Sequence, residues 1–355
     1  MSKRVAYIDN LRWITISLLI VYHAAMAYNT WGEANYIFLG EVRPLAFIVT
    51  LISPWFMPVM FLIAGMSSYY SLSKRGYKLF LRERLIRLGI PFVAGVLLLN
   101  PVLSYVADVT HNGYTGNYLQ HYGVFFTKFT DLSGYDGGFA AGHLWFIITL
   151  LVISFVSCAF IRLEELFPEH VRKKLMPAVY LLPVIAVAVM DIRPLGKPLI
   201  MYLFVYLTGY CIFSRQETAD RLVRYKWVLI PMFIVASVLN SYLFIYSEGY
   251  EVLNTICSYL AFALGVPSVI IIGKMYLDHC SRASEFASGI SFMFYIIHLP
   301  VVVICQYVLS LAGLGIIANF IVSVIICYPV TVLICILFDK VRCAGVFRGA
   351  KRHAE

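Results

Sequence analysis

The sequence predicts an all-α polytopic membrane protein, one bundle of about ten transmembrane helices with both ends of the chain in the cytoplasm. Three observations carry that prediction. The 355-residue chain is 61% hydrophobic and 13% charged, with a mean hydropathy of +0.81. Its apolar runs return again and again at about 20 residues, the length a helix needs to cross a hydrocarbon layer. Within them apolar positions are continuous rather than alternating, which argues against a barrel and for helices. Orientation follows from charge. Lys74, Arg75, Lys78, Arg82, Arg84 and Arg87, then Arg162 and Arg172 to Lys174, then Arg215, Arg221, Arg224 and Lys226 crowd alternate loops, as do Lys274, Arg282 and the tail from Lys340 to Arg352. The intervening loops hold only Arg43, Lys128, Arg193 and Lys197. The positive-inside rule puts the first set in the cytoplasm and assigns the net charge of +9 to topology rather than to nucleic acid.

The first span, about 12–29, contains Arg12 and His23. An ionisable residue within a span costs about 2.5–3.5 kcal/mol on insertion scales, so it marks a site by default. Arg12 sits at the cytoplasmic end and can snorkel, whereas His23 lies about 16 Å farther along the helix. Lys3, Arg4 and the small-residue triplet Ala25-Met26-Ala27 mimic a secretory signal. Cleavage would leave nine spans and invert the sign of every later basic loop, so an uncleaved span is expected. The second span, 44–70, carries Pro54 and Pro58, which should kink it and free carbonyls that could face a cavity. Before the third span, 88–107, Arg84 and Arg87 are three apart and share a helical face, suited to phosphate oxygens.

The loop 108–142, with His111, His121, Asp131, Asp136 and Gly137-Gly138, is long enough for a lid or binding loop, a flexible connector being the alternative. His143 and Trp145 open the fourth span, 143–161. The short fifth and sixth spans, 176–190 and 199–213, flank Asp191 to Gly196, read as a tight external turn or a partly re-entrant segment. The seventh and eighth, 227–246 and 255–277, show no chemistry of their own. The ninth, 289–311, brings Tyr295 and His298 to a depth matching His23, and the tenth is 315–338. With His143 at the outer end of the fourth span, three imidazoles are expected to converge in the outer half of the bundle. Eight cysteines, with no Cys-x-x-Cys pair, indicate neither a disulfide framework nor a zinc site.

Asp9 with Arg12-x10-His23, Arg84-x-x-Arg87 before Ile90-Pro91, Gly142-His143-Leu144-Trp145-Phe146 and the segment Tyr295 to His298 together resemble the acyltransferase 3 family of ten-helix membrane acyltransferases. The resemblance runs from about residue 5 to 338; Asn10 stands where the family opening has Gly. It implies transfer of an acyl group, often acetyl, from cytoplasmic acyl-coenzyme A to a hydroxyl of a sugar or glycan at the outer face of a bacterial inner membrane. It implies His23 as catalytic histidine, and donor binding by Arg12 with Arg84 and Arg87. His298 joins the catalytic group, and His143, Trp145, Tyr295 and Asp9 the substrate-binding group, through their surrounding sequence. Expected partners are a carbohydrate acceptor and membrane lipids, with no metal and no nucleic acid, and homo-oligomerisation is left open. Many relatives carry a C-terminal hydrolase-like domain; this chain ends at Glu355, so either the bundle or a separate protein should complete transfer.

The chemistry agrees with the resemblance. An alcohol attacking a thioester needs a base, and imidazole suits that work near neutrality. A developing oxyanion needs a donor, for which His298, Tyr295 or a backbone amide freed near Pro54 or Pro58 are candidates. The rival class is a transporter or polysaccharide exporter that uses Arg12, His23 and His298 as a substrate or proton pathway. The sequence shows no inverted repeat, which weighs against the carrier.

Overall fold

The computed structural model describes residues 5–129, 132–190 and 193–343, so Lys3, Arg4, Asp131, Asp191 and the tail beyond 343 lie outside the described residues. Thirteen α-helices occur among them: α1 (Ala6–Met26), α2 (Arg43–Arg84), α3 (Ile90–Leu98), α4 (Asn100–His111), α5 (Tyr118–Phe125), α6 (Trp145–Glu164) and α7 (Glu169–Met190). After these come α8 (Leu199–Thr208), α9 (Gln216–Val223), α10 (Lys226–Tyr246), α11 (Glu251–Tyr276), α12 (Arg282–Leu311) and α13 (Ile316–Cys343). Six runs among the described residues are long and apolar enough to cross a membrane: Arg43–His111, Gly142–Glu164, Lys226–Tyr246, Glu251–Tyr276, Arg282–Leu311 and Ile316–Lys340. The protein is an all-helical membrane bundle.

α1 is its hub. It starts six residues before the predicted span because its first turns satisfy their own polar groups. Asn10 Nδ2 donates to the carbonyls of Leu277 and His279 at 2.7 and 2.8 Å, closing the end of α11. At the other end Gln306 of α12 donates to the Ala24 carbonyl at 2.9 Å, and Tyr328 of α13 donates to that of Ser17 at 2.8 Å. Where lipid removes the hydrophobic contrast between helices, such bonds and close packing hold a bundle together.

α2 runs through both prolines and kinks instead at Gly76 (φ 69°, ψ 166°), a conformation open to glycine. Pro54 leaves the Thr50 carbonyl without its helical donor, and Asn240 of α10 takes it at 3.2 Å. That carbonyl therefore serves packing and does not face a cavity as the sequence allowed. α2 also meets α8, and the π turn Gly209–Phe213 that continues it, backbone to backbone: an added Cβ at Gly65 would overlap the Tyr206 carbonyl, and one at Gly209 the Leu62 carbonyl. Beyond Arg84 a π turn, Leu85–Gly89, leads into α3 and α4.

At the His23 end two loops fold into one cap. Asn35 and Tyr36 adopt left-handed backbone angles (φ 48° and 60°). The Tyr36 amide donates to the Tyr135 carbonyl at 2.9 Å and its hydroxyl to that of Ser133 at 2.5 Å. The segment 108–142 has structure of its own. Asn117 and Gln120 form a capping box at the start of α5, and buried His121 meets the Asp108 carboxylate at 2.7 Å. Lys128 approaches the same carboxylate at 3.4 Å and Asn112 donates to it at 2.6 Å, while Asp136 is exposed.

Candidate active site

Three histidines converge. The ring centroids of His23 and His298 are 5.3 Å apart, and those of His298 and His143 are also 5.3 Å apart, so His298 is the central ring. All three are buried, His298 completely. His298 Nδ1 donates to the Tyr295 carbonyl at 2.6 Å, and His143 Nε2 donates to the Ile296 carbonyl at 2.8 Å. A carbonyl only accepts, so these contacts fix both tautomers and leave His298 Nε2 and His143 Nδ1 with lone pairs in the neutral rings. Those two nitrogens and His23 Nδ1 are buried without a hydrogen-bond partner. An unmet buried polar atom costs about 1–3 kcal/mol, so three at one place call for a functional explanation. Together they can take up, hold and pass on a proton.

The backbone of α12 makes this possible. Pro300 has no N–H, so the Ile296 carbonyl four residues back is free of its helical bond, and His143 takes it. Tyr295 completes the clasp, its hydroxyl donating to the His143 carbonyl. Aromatic rings wall the cluster. Tyr22 lies edge-on to His23 and stacked at 6.1 Å on Phe56. Trp145 packs at 5.8 Å on Tyr202, which stacks at 4.5 Å on Phe61. Lys197 places its ammonium 5.5 Å from the Trp145 ring and 5.8 Å from that of Tyr135.

The other end of α1 holds the arginines. Arg12 Nη1 donates to Asp9 at 2.9 Å and Nη2 to Ser67 Oγ at 2.6 Å. Arg84 Nη2 donates to Ser68 Oγ at 2.7 Å, with its guanidinium 5.0 Å above the Phe80 ring. Arg87 is exposed and belongs to the π turn, whereas Arg84, the residue before that turn, is half-buried.

The structure thus brings together His23, His143, Tyr295 and His298, with Trp145 beside them through Phe61 and Phe146. It keeps Arg12 with Asp9 and near Arg84, and Asp9 lies about 20 Å along α1 from His23, away from the other acceptor-side candidates. Asp9 serves here as a partner for Arg12. The prolines of α2 supply no oxyanion donor, since a proline frees a carbonyl and not an amide. Sequence reasoning missed Pro300, Ser67, Ser68 and Tyr206. The adjacent serines within an apolar helix were the one available signal, because a hydroxyl in a span can bond across to another helix. Among the described residues no group of His, Cys, Asp and Glu is arranged to hold a metal ion.

A family model described as an acyltransferase domain matches residues 5–340, from the first turn of α1 into α13. No curated protein and no solved structure matches the chain.

Proposed function

The chain belongs to the acyltransferase 3 family, and from that premise we propose that it moves an acyl group, acetyl being the simplest, from cytoplasmic acyl-coenzyme A to a hydroxyl of a sugar or glycan at the outer face. The observation that carries the proposal is the set of three buried ring nitrogens without partners around His298. In this account the bundle crosses a bacterial inner membrane ten times with both termini cytoplasmic, so the arginine end meets the donor and the capped histidine end meets the acceptor.

The residues present fit such a donor. Arg12 and Arg84 offer guanidinium groups for its phosphates at one end of α1, while the thioester, which supplies the activated acyl carbon, must reach His23 near the other. His23 accepts the hydroxyl proton of the acceptor as its oxygen forms the new bond to that carbon. The carbon–sulfur bond breaks and the proton passes to the departing sulfur. His298, next to His23, can take that proton on its free Nε2, and only in that protonated form donates to the carbonyl oxygen as charge grows on it. His143 and Tyr295, clasped to each other, hold the wall of the pocket.

Release of free thiol from acyl-coenzyme A by purified protein with a carbohydrate acceptor tests the proposal. His23→Ala should lower the rate at least a hundredfold, the usual scale for a lost general base. An unchanged rate would remove His23 from the chemistry. Solute movement across sealed vesicles without thiol release would favour a transporter.

A further inference from the structure

The hydroxyls of Ser67 and Ser68 are consecutive on α2, and each commits its hydrogen to the carbonyl four residues back. Ser67 donates to Ile63 and Ser68 to Ala64, both at 2.8 Å. Toward every other neighbour these oxygens only accept. Ser67 accepts from Arg12 at 2.6 Å. Ser68, fully buried, accepts from Arg84 at 2.7 Å and from the Tyr206 hydroxyl at 2.6 Å, which uses its one hydrogen and both lone pairs.

Successive residues on a helix point about 100° apart and differ in depth by about 1.5 Å. The pair therefore addresses α1 on one side and the segment beyond Gly76 on the other, at nearly one level. Tyr206 reaches Ser68 because Gly65 and Gly209 let the two backbones touch.

From this geometry we infer that Ser68, seconded by Ser67, is a positioning residue for the donor. It holds the Arg84 guanidinium in place through a neutral acceptor, so the full positive charge stays available to a phosphate. A carboxylate in its position would orient the guanidinium equally well but cancel its charge. A fixed guanidinium loses less freedom on binding than a mobile one. The ligand class is the phosphate groups of a coenzyme A thioester, and the inference rests on the donor assignment made above.

The test compares an acyl-coenzyme A with the matching acyl-pantetheine, which keeps the thioester but lacks the nucleotide phosphates. Ser68→Ala should raise KM for acyl-coenzyme A about tenfold, equivalent to about 1.4 kcal/mol, with kcat within about twofold. KM for acyl-pantetheine should not move. In an Arg84→Ala background Ser68→Ala should add almost nothing, because the group it holds is gone. If Ser68→Ala fails to accumulate, Tyr206→Phe should show the same donor selectivity at about threefold. Wild-type KM in the serine variant overturns the inference, and so does an equal rise with both donors, which a general packing defect would give. A wild type that turns over neither thioester overturns the donor assignment itself, and one that uses both with the same KM removes the phosphate role while leaving acyl transfer standing.

Discussion

At the scale of single residues, the histidine cluster depends on a proline. Pro300 makes the Ile296 carbonyl available, and that carbonyl anchors His143 against His298. Pro300→Ala would restore an N–H that competes for it. Relief of a proline within a helix is worth about 3 kcal/mol, while the two buried methylenes lost cost about 1.6 kcal/mol. The variant should therefore melt no lower than wild type, and kcat should still fall about tenfold as His143 loosens. A lower melting temperature together with lost activity would mean that Pro300 acts only through stability. Part of this site was legible beforehand. Arg12 and His23 announced themselves as charges within an apolar run, and matching depth paired His23 with His298. The role of Pro300 was hidden because sequence shows which carbonyl a proline frees and not which distant side chain takes it.

At the scale of elements, the contact between α2 and α8 links packing to the arginine end. Gly65 and Gly209 place two backbones in contact, and that contact delivers Tyr206 to Ser68. Gly65→Ala would gain about 1 kcal/mol of helix propensity, but the new methyl would overlap the Tyr206 carbonyl, and such overpacking costs about 1–3 kcal/mol. The clash should win. Thermal unfolding in detergent should shift downward, with donor KM raised because Tyr206 withdraws; an upward shift would show that the helices can part without penalty. Element boundaries were legible where hydropathy alone sets them, as in α10, Lys226–Tyr246 against a predicted 227–246. The start of α12 at Arg282, seven residues before the predicted 289, is written in the capping pair Ser281 with Ser284, as that of α5 is in Asn117 with Gln120. The early start of α1 was not, since it depends on Asn10 closing the end of α11, a contact across 267 positions of sequence.

At the scale of the whole molecule, apolar length made the helical class legible, because no other structure satisfies the backbone of such runs in lipid. Hydropathy says less about how a run like Arg43–His111 divides, and there Gly76 supplies the break. The distribution of charge is what bears on the direction of the bundle. Arg12, Ser67, Ser68 and Arg84 share one end, tied by hydrogen bonds, and the basic stretch from Lys74 to Arg87 belongs to it. The opposite end bears the cap that joins Tyr36 to Tyr135. If the positive-inside rule governs insertion, the arginine end faces the cytoplasm. Cys280 is a native reporter for that end, since it is exposed and follows His279, whose carbonyl accepts from Asn10. Asp136, exposed within the cap, offers the complementary position. In right-side-out vesicles a membrane-impermeant maleimide should label Asp136→Cys at once and Cys280 only after permeabilisation, with Cys280→Ser confirming the assignment. Labelling of Cys280 first would turn the bundle over. The arginines would then face a compartment without acyl-coenzyme A, and the histidines would have to meet donor and acceptor from the same side.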